Sequence, residues 1–144
     1  TKRNYREKMF PKIFTTTSIY FSNMTNGAYH RVIEPDENEL LQVETPNEIR
    51  YDVNDLSQGT IDQLYISLRL AMSKVISVNY HIPFLMDDAF IHFDKIRTKR
   101  IMEIIKGISN KQQILLFTCK KDLLEYVHDQ QITYLEKSAQ VIRN

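Results

Sequence analysis

Glycine is scarce in this chain of 144 residues, which contains only Gly27, Gly59 and Gly107. A phosphate-binding P-loop needs two glycines separated by four residues, followed by Lys and Ser or Thr. None of the three glycines has a second glycine five positions further on. The same spacing excludes the G-x-G-x-x-G motif of dinucleotide-binding proteins. The chain therefore has no recognisable phosphate-wrapping loop of its own.

Other absences narrow the class of protein. The single cysteine, Cys119, excludes an internal disulfide framework and predicts a reducing, cytoplasmic location. A formal net charge of +1 gives no global attraction to nucleic acid or membranes. No apolar run approaches the roughly 20 residues of a membrane span, so we expect no membrane partner. The first residue is Thr1 rather than Met, so we expect a piece of a longer polypeptide.

The first part of the chain predicts a helix followed by a small sheet. Apolar residues recur at helical spacing over residues 1–24. Three short alternating segments follow at 29–33, 40–44 and 49–53, separated by polar turns. Short alternating segments joined by such turns are typical of an antiparallel meander.

The second part predicts an α/β unit. A helical stripe covers residues 61–78, and a second helix is predicted over 94–109, with Ile96 on its buried side. The continuous apolar runs 82–86 and 114–117 are typical of parallel strands that are covered on both faces. The last predicted elements are a short helix at 121–128 and a strand at 131–135.

Residues 56–60, Leu-Ser-Gln-Gly-Thr, precede the first of these two helices. Gly59 lets a ligand approach the backbone closely, and the free N–H groups of a helix start favour an anion. Ser57 adds a hydroxyl donor. Thr60 and Gln63 match a capping box, so an ordinary helix N-terminus is the competing interpretation.

Two acids, Asp87 and Asp88, follow the first apolar strand. Residues at the carboxyl ends of strands face the ligand site in open α/β sheets. One carboxylate can hold Mg²⁺ and its neighbour can orient or deprotonate a water molecule. Asp94 is a good N-cap for the next helix, and a polar side chain in 118–122 could reach a phosphate. The competing interpretation is a set of helix caps and solvated loops.

The order of these features resembles the ATPase head of the ABC class, in its SMC/SbcC-like branch. Residues 56–59 match the ABC signature motif, and 85–88 match Walker B with its catalytic acid. Residues 93–94 match the D-loop, and 115–120 match the switch strand. The longer string 56–71 is similar to the YhaN group of bacterial SMC-like ATPases.

This resemblance implies a fold and a division of the chain. The fold is α/β, the C-terminal half of a P-loop ABC-type head, with a parallel sheet, flanking helices and a small antiparallel meander. Residues 1–24 would leave a coiled coil and 25–144 would form the C-terminal ATPase lobe. Within that lobe the meander is 28–54, and the signature helix and parallel-sheet core are 55–144. The missing Walker A would lie in an N-terminal lobe beyond the coiled coil.

The resemblance also implies a composite ATP site with Mg²⁺, formed when two heads dimerise. Asp87 would hold Mg²⁺ and Asp88 would act on the attacking water. The isolated chain is expected to be inactive without the N-terminal lobe. A nuclease subunit and DNA are partners by family analogy. The residues expected to contact nucleotide or the interface are Ser57, Gln58, Gly59, Asp94 and Lys120.

Two departures from the family pattern leave an alternative open. Asp88 stands where much of the class has Glu, and the switch histidine is replaced by Cys119 or Lys120. A lysine can donate to a phosphate as a point charge but not as a neutral imidazole. The alternative is a non-enzymatic interaction module with a decayed nucleotide site.

Overall fold

The computed structural model describes residues 2–36, 39–77 and 82–135, with the side chains of 2–7 and 130 left aside. The three long helices predicted from the sequence are confirmed, although Thr1, the predicted start of the first, and Val78, the predicted end of the second, lie outside the described residues. Within the described part of the chain, no helix combines the length and apolar character needed to cross a membrane. The three helices are α1 (Lys2–Met24), α2 (Gln58–Ser77) and α3 (Lys95–Ser109).

The predicted meander is also confirmed. Its strands pair antiparallel in chain order, β1 with β2 and β2 with β3. Val32 lies opposite Val43, and both side chains are buried against Phe21 of α1 and Leu64 of α2. Period-two alternation places these valines on one face of the sheet. The strands are β1 (Arg31–Ile33), β2 (Gln42–Glu44) and β3 (Arg50–Asp52).

The meander also encloses one carboxylate. The side chain of Glu44 is 9% exposed, and its Oε2 accepts a hydrogen bond of 2.9 Å from Arg50 Nε. Arg31 Nη1 and His30 Nε2 lie 3.9 Å and 3.5 Å from Oε1. A poorly hydrated carboxylate needs such partners. The hydrogen bond from Arg50, followed by the positive charges around it, holds the pKa of Glu44 below its usual value.

Two parallel strands form a second sheet, with α3 as the crossover between them. β4 (Phe84–Asp87) pairs with β5 (Ile114–Phe117) so that Asp87 lies opposite Phe117. Met86 packs into a core formed with α2 and α3. The carboxyl ends of both strands therefore lie at one edge of the sheet.

The prediction that these strands are covered on both faces is wrong for this chain. Leu85 is 53% exposed, Leu115 38% and Phe117 41%. These side chains alternate with the buried ones, so they share the face turned away from α2 and α3. Among the described residues nothing covers that face. We call Leu85, Leu115 and Phe117 the open sheet face.

Three further expectations are corrected. Ile96 is 64% exposed, because five residues along a helix place it about 140° around the axis from the buried Ile101. Residues 131–135 form no strand: a 3₁₀ turn at Asp129–Gln131 leads into an irregular segment. Strand pairing there has no partner among the described residues. The predicted short helix is a 3₁₀ helix, Lys121–Tyr126, and residues 136–144 lie outside the described residues.

Candidate functional site

The start of α2 is capped by Ser57 rather than by Thr60. Thr60 N donates to the carbonyl oxygen of Ser57 at 2.9 Å and approaches its Oγ at 3.3 Å. The two hydroxyl oxygens of Ser57 and Thr60 are 2.8 Å apart. The predicted capping box is wrong, because Gln63 is buried and its Nε2 donates to Met24 O at 2.9 Å. This buried bond ties the first turns of α2 to the end of α1.

The two residues after Ser57 differ in their surroundings. Gln58 is exposed and its Nε2 donates to Asp62 Oδ1 at 2.8 Å. Gly59 lies inside the first turn of α2 and is half-buried. A Cβ added there would overlap Arg97 Nη1 and lie 3.1 Å from Arg97 Cζ. The backbone of Gly59 is therefore covered by a guanidinium group from α3.

Asp87 and Asp88 lie at the end of β4, and their surroundings differ. Asp87 is exposed and ends the strand. Asp88 has a φ of 41°, a left-handed conformation that Asp tolerates better than most residues. Its backbone N donates to Phe117 O at 2.9 Å. Its Oδ1 lies 3.2 Å from Cys119 N and 3.7 Å from Cys119 Sγ, so the second carboxylate oxygen, Oδ2, stays available to another donor.

Lys120 is bound to the loop that follows the acid pair. Its Nζ donates to Phe90 O at 3.0 Å and to Phe93 O at 3.3 Å. The ammonium therefore binds the loop that connects Asp88 with Asp94. Cys119, unlike Lys120, hydrogen-bonds directly to Asp88. A direct contact between Lys120 and a phosphate remains a prediction.

Asp94 caps α3 as predicted. Its Oδ1 accepts a hydrogen bond of 2.8 Å from Arg97 N, and its Oδ2 lies 4.0 Å from Arg97 Nε. The side chain of Asp94 is still 63% exposed. Arg97 lies outside the motifs that the sequence displays. Its position three residues after the cap, where the backbone N–H binds the capping side chain, was the available signal.

The candidate residues thus form two groups. Asp87 and Asp88 share the edge of the parallel sheet with residues 118–120. Gly59 and Asp94 are joined through Arg97. No hydrogen bond within the described parts of the chain links Ser57 or Gln58 to the two acids.

The acid pair suits Mg²⁺ better than a metal held by protein ligands alone. The described residues contain no group of three or more His, Cys, Asp or Glu side chains that could hold a metal ion. Mg²⁺ typically takes one or two carboxylates and completes its shell with water and substrate phosphates. Asp87 offers an accessible carboxylate of this kind.

The sequence is similar to YhaN, an uncharacterised protein of Bacillus subtilis (strain 168). The identity is 32% over 126 residues, which cover 87% of this chain and 13% of YhaN. The chain thus spans about an eighth of that relative. No protein-family model matches the chain.

Solved SMC structures share the fold. One, from work on ATP-driven dimerisation and DNA-stimulated activation of SMC ATPases, has a TM-score of 0.70 and 18% identity, covering 88% of this chain and 78% of that one. The Smc head of Pyrococcus furiosus, with an extended coiled coil and bound to the C-terminal domain of ScpA, has a TM-score of 0.68 and 18% identity, covering 87% and 32%. The resemblance predicted from the sequence is confirmed: the chain has the fold of an SMC ATPase head and is similar to YhaN.

Proposed function

We propose that this chain, with its SMC-head fold, is the C-terminal half of an SMC/SbcC-like head that dimerises around ATP and hydrolyses it. The observation that supports this most directly is the acid pair at the end of β4. Asp87 is exposed, while one carboxylate oxygen of Asp88 accepts a hydrogen bond from Cys119 N. Two neighbouring carboxylates with such different surroundings suit two different tasks.

We assign the metal to Asp87 and the water to Asp88. Asp87 would hold Mg²⁺ together with the nucleotide phosphates. Mg²⁺, when bound, neutralises charge that develops on those phosphates. Asp88 Oδ2, which accepts no hydrogen bond among the described residues, would orient the attacking water and receive its proton.

The phosphate-wrapping part must come from elsewhere, since the chain has no P-loop. We propose that it comes from an N-terminal Walker A lobe of the same polypeptide. The open sheet face fits this arrangement, because apolar side chains on a parallel sheet are ordinarily covered. In this proposal residues 1–24 leave a coiled coil and 25–144 form the C-terminal lobe, with the meander at 28–54 and the core at 55–144.

The residues around the start of α2 would serve the nucleotide bound by a second copy. The Ser57 hydroxyl, the Gln58 amide and the backbone of Gly59 lie at a helix N-terminus, whose N–H groups favour anions. Asp94 is exposed enough to meet that second copy. Because one structural neighbour comes from work on ATP-driven dimerisation and DNA-stimulated activation, we propose that DNA is a partner here too. A nuclease subunit and a role in DNA repair or DNA-end metabolism extend this analogy.

The decisive experiment measures ATP turnover by a protein that contains both lobes. Asp88→Asn should lower kcat by at least about 100-fold, since it removes the group that accepts the proton. Asp36→Asn is the matched control, because Asp36 is exposed in the turn after β1, and it should leave kcat unchanged. The isolated chain should show no turnover. Strong turnover by that chain, or full turnover by Asp88→Asn, contradicts the proposal.

One observation favours the second candidate, a non-enzymatic interaction module. Lys120, one of the two residues at the position of the switch histidine, uses its ammonium to bind the carbonyl groups of Phe90 and Phe93. A group held in this way is not presented to a phosphate. Light scattering of the two-lobe protein separates the candidates: an ATP-dependent rise in mass supports the ATPase head, and an unchanged mass supports the module.

A further inference from the structure

Arg97 is attached twice to the residue that caps its helix. Its backbone N donates to Asp94 Oδ1 at 2.8 Å. Its Nε lies 4.0 Å from Asp94 Oδ2. The first contact is the helix cap, and it places residue 97 in the first turn of α3. The second is a long ion pair with an exposed carboxylate, which adds a weak attraction between the two side chains.

The far end of the same side chain lies on Gly59. A Cβ at residue 59 would overlap Arg97 Nη1 and lie 3.1 Å from Cζ and 3.7 Å from Nη2. The only glycine with a positive φ in the described residues is Gly27, so the helical backbone at Gly59 would accept other residues. The guanidinium of Arg97 occupies the space that a side chain at position 59 would take, so a larger residue there would displace it.

The contact between the Arg97 guanidinium and the Gly59 backbone depends more on shape than on hydrogen bonds. Neither Nη1 nor Nη2 has a hydrogen-bond partner among the residues that the structure describes, and the side chain is 33% exposed. A guanidinium is flat and weakly hydrated, so it can lie against a backbone that has no Cβ. A lysine ammonium is compact and strongly hydrated and cannot make the same contact.

We propose that Arg97 is a positioning residue that holds Gly59 and Asp94 in one arrangement. This inference rests on the proposed function, in which both residues meet the second head. Gly59 lies at the start of α2 and Asp94 at the start of α3, two separate helices. Arg97 joins them, so the two segments reach the second copy as one unit.

The first test uses no nucleotide. Hydrogen exchange is measured on the full-length protein with both lobes, for peptides that cover 56–62 and 88–97. Arg97→Ala should speed exchange in both peptides, because each loses the contact that holds it to the other. Lys99→Ala is the matched control, since Lys99 is an exposed cation on the same helix, and exchange should stay as in the wild type. Unchanged exchange in Arg97→Ala overturns the proposal.

The second test measures ATP turnover by the same proteins. Arg97→Ala should lower kcat by about 10- to 100-fold, the size expected when reacting groups are slightly misplaced. KM should change little, because in this proposal Arg97 positions two segments and contacts no substrate. Arg97→Lys should behave like Arg97→Ala. Full turnover by Arg97→Lys would show that charge alone is needed and would overturn the positioning role.

A double variant separates Arg97 from Gly59 itself. Gly59→Ala should lower kcat as Arg97→Ala does, because the new Cβ displaces the guanidinium. The double variant should then be no slower than either single variant. Effects that multiply would mean that the two residues act independently and would overturn the proposal. A wild-type protein with no ATP response would overturn the proposed function instead, while hydrogen exchange still decides whether Arg97 joins the two segments.

Discussion

The meander and the parallel strand pair differ in how far their apolar side chains are buried. In the meander, Val32 and Val43 are buried against Phe21 and Leu64, so the sheet is closed by the chain's own helices. In the parallel pair, Met86 is buried but the alternating residues on the other side form the open sheet face. One region completes its core within the chain, and the other leaves a surface that suits a further element. The acid pair belongs to the second region.

The carboxylates of the two regions also differ in their partners. Glu44 in the meander is almost fully covered and has Arg50, Arg31 and His30 around it. Asp87 is exposed, and Asp88 accepts hydrogen bonds only from the neutral groups of Cys119 among the described residues. The carboxylate that is already paired serves folding. In the proposed function, Asp87 and Asp88, which have no cation partner in the described part of the chain, serve the nucleotide site.

The largest expected contrast between the two regions is in core stability. Phe21→Ala should lower the free energy of unfolding by about 3–5 kcal/mol, because Phe21 is fully buried and stacks on Tyr29. Leu115→Ala should lower it by less than about 1 kcal/mol, since its side chain lies on the open sheet face. Urea unfolding of the 144-residue chain measures both values. If Leu115→Ala cost as much as Phe21→Ala, the sheet face would already be covered within this chain.

A second comparison concerns the helix that follows the acid pair. Asp94→Ala should lower the stability of the chain by about 1 kcal/mol, because it removes the cap from Arg97 N. Asp94→Asn is the control, since Asn caps helices about as well as Asp. Thermal unfolding of the three proteins separates the cap from the charge. A loss of stability in Asp94→Asn equal to that in Asp94→Ala would contradict a capping role.

The smallest expected effect is on the pH dependence of the meander. The hydrogen bond from Arg50, with the nearby cations, keeps the pKa of Glu44 below its usual value, which is about 4.3 in an unfolded chain. Its stabilising contribution is therefore complete above that value and is lost as pH falls through the lower folded pKa. Glu44→Gln should remove this part of the acid sensitivity. Urea unfolding at several pH values tests it, and a constant difference between the two proteins at all pH values would argue against it.

Local patterns were sufficient for much of the fold. The three helices, the meander and the two apolar strands all follow from hydrophobic spacing, which a short window of sequence displays. The Asp94 cap and the placement of Asp87 and Asp88 at a strand end are also local features. One error arose where a pattern needed a partner. Residues 131–135 alternate like a strand, but a strand needs a neighbour to pair with, and none is present among the described residues.

The order of the motifs in the sequence was enough to indicate an SMC-like head, because each motif is a short segment with its own residue types. Contacts between distant segments could not be read in that way. Three contacts join residues that are far apart in the chain. Arg97 lies against Gly59, Gln63 donates to Met24, and Lys120 donates to Phe90. Their geometry depends on how α1, α2 and α3 pack, and packing is set by the whole core rather than by any one segment.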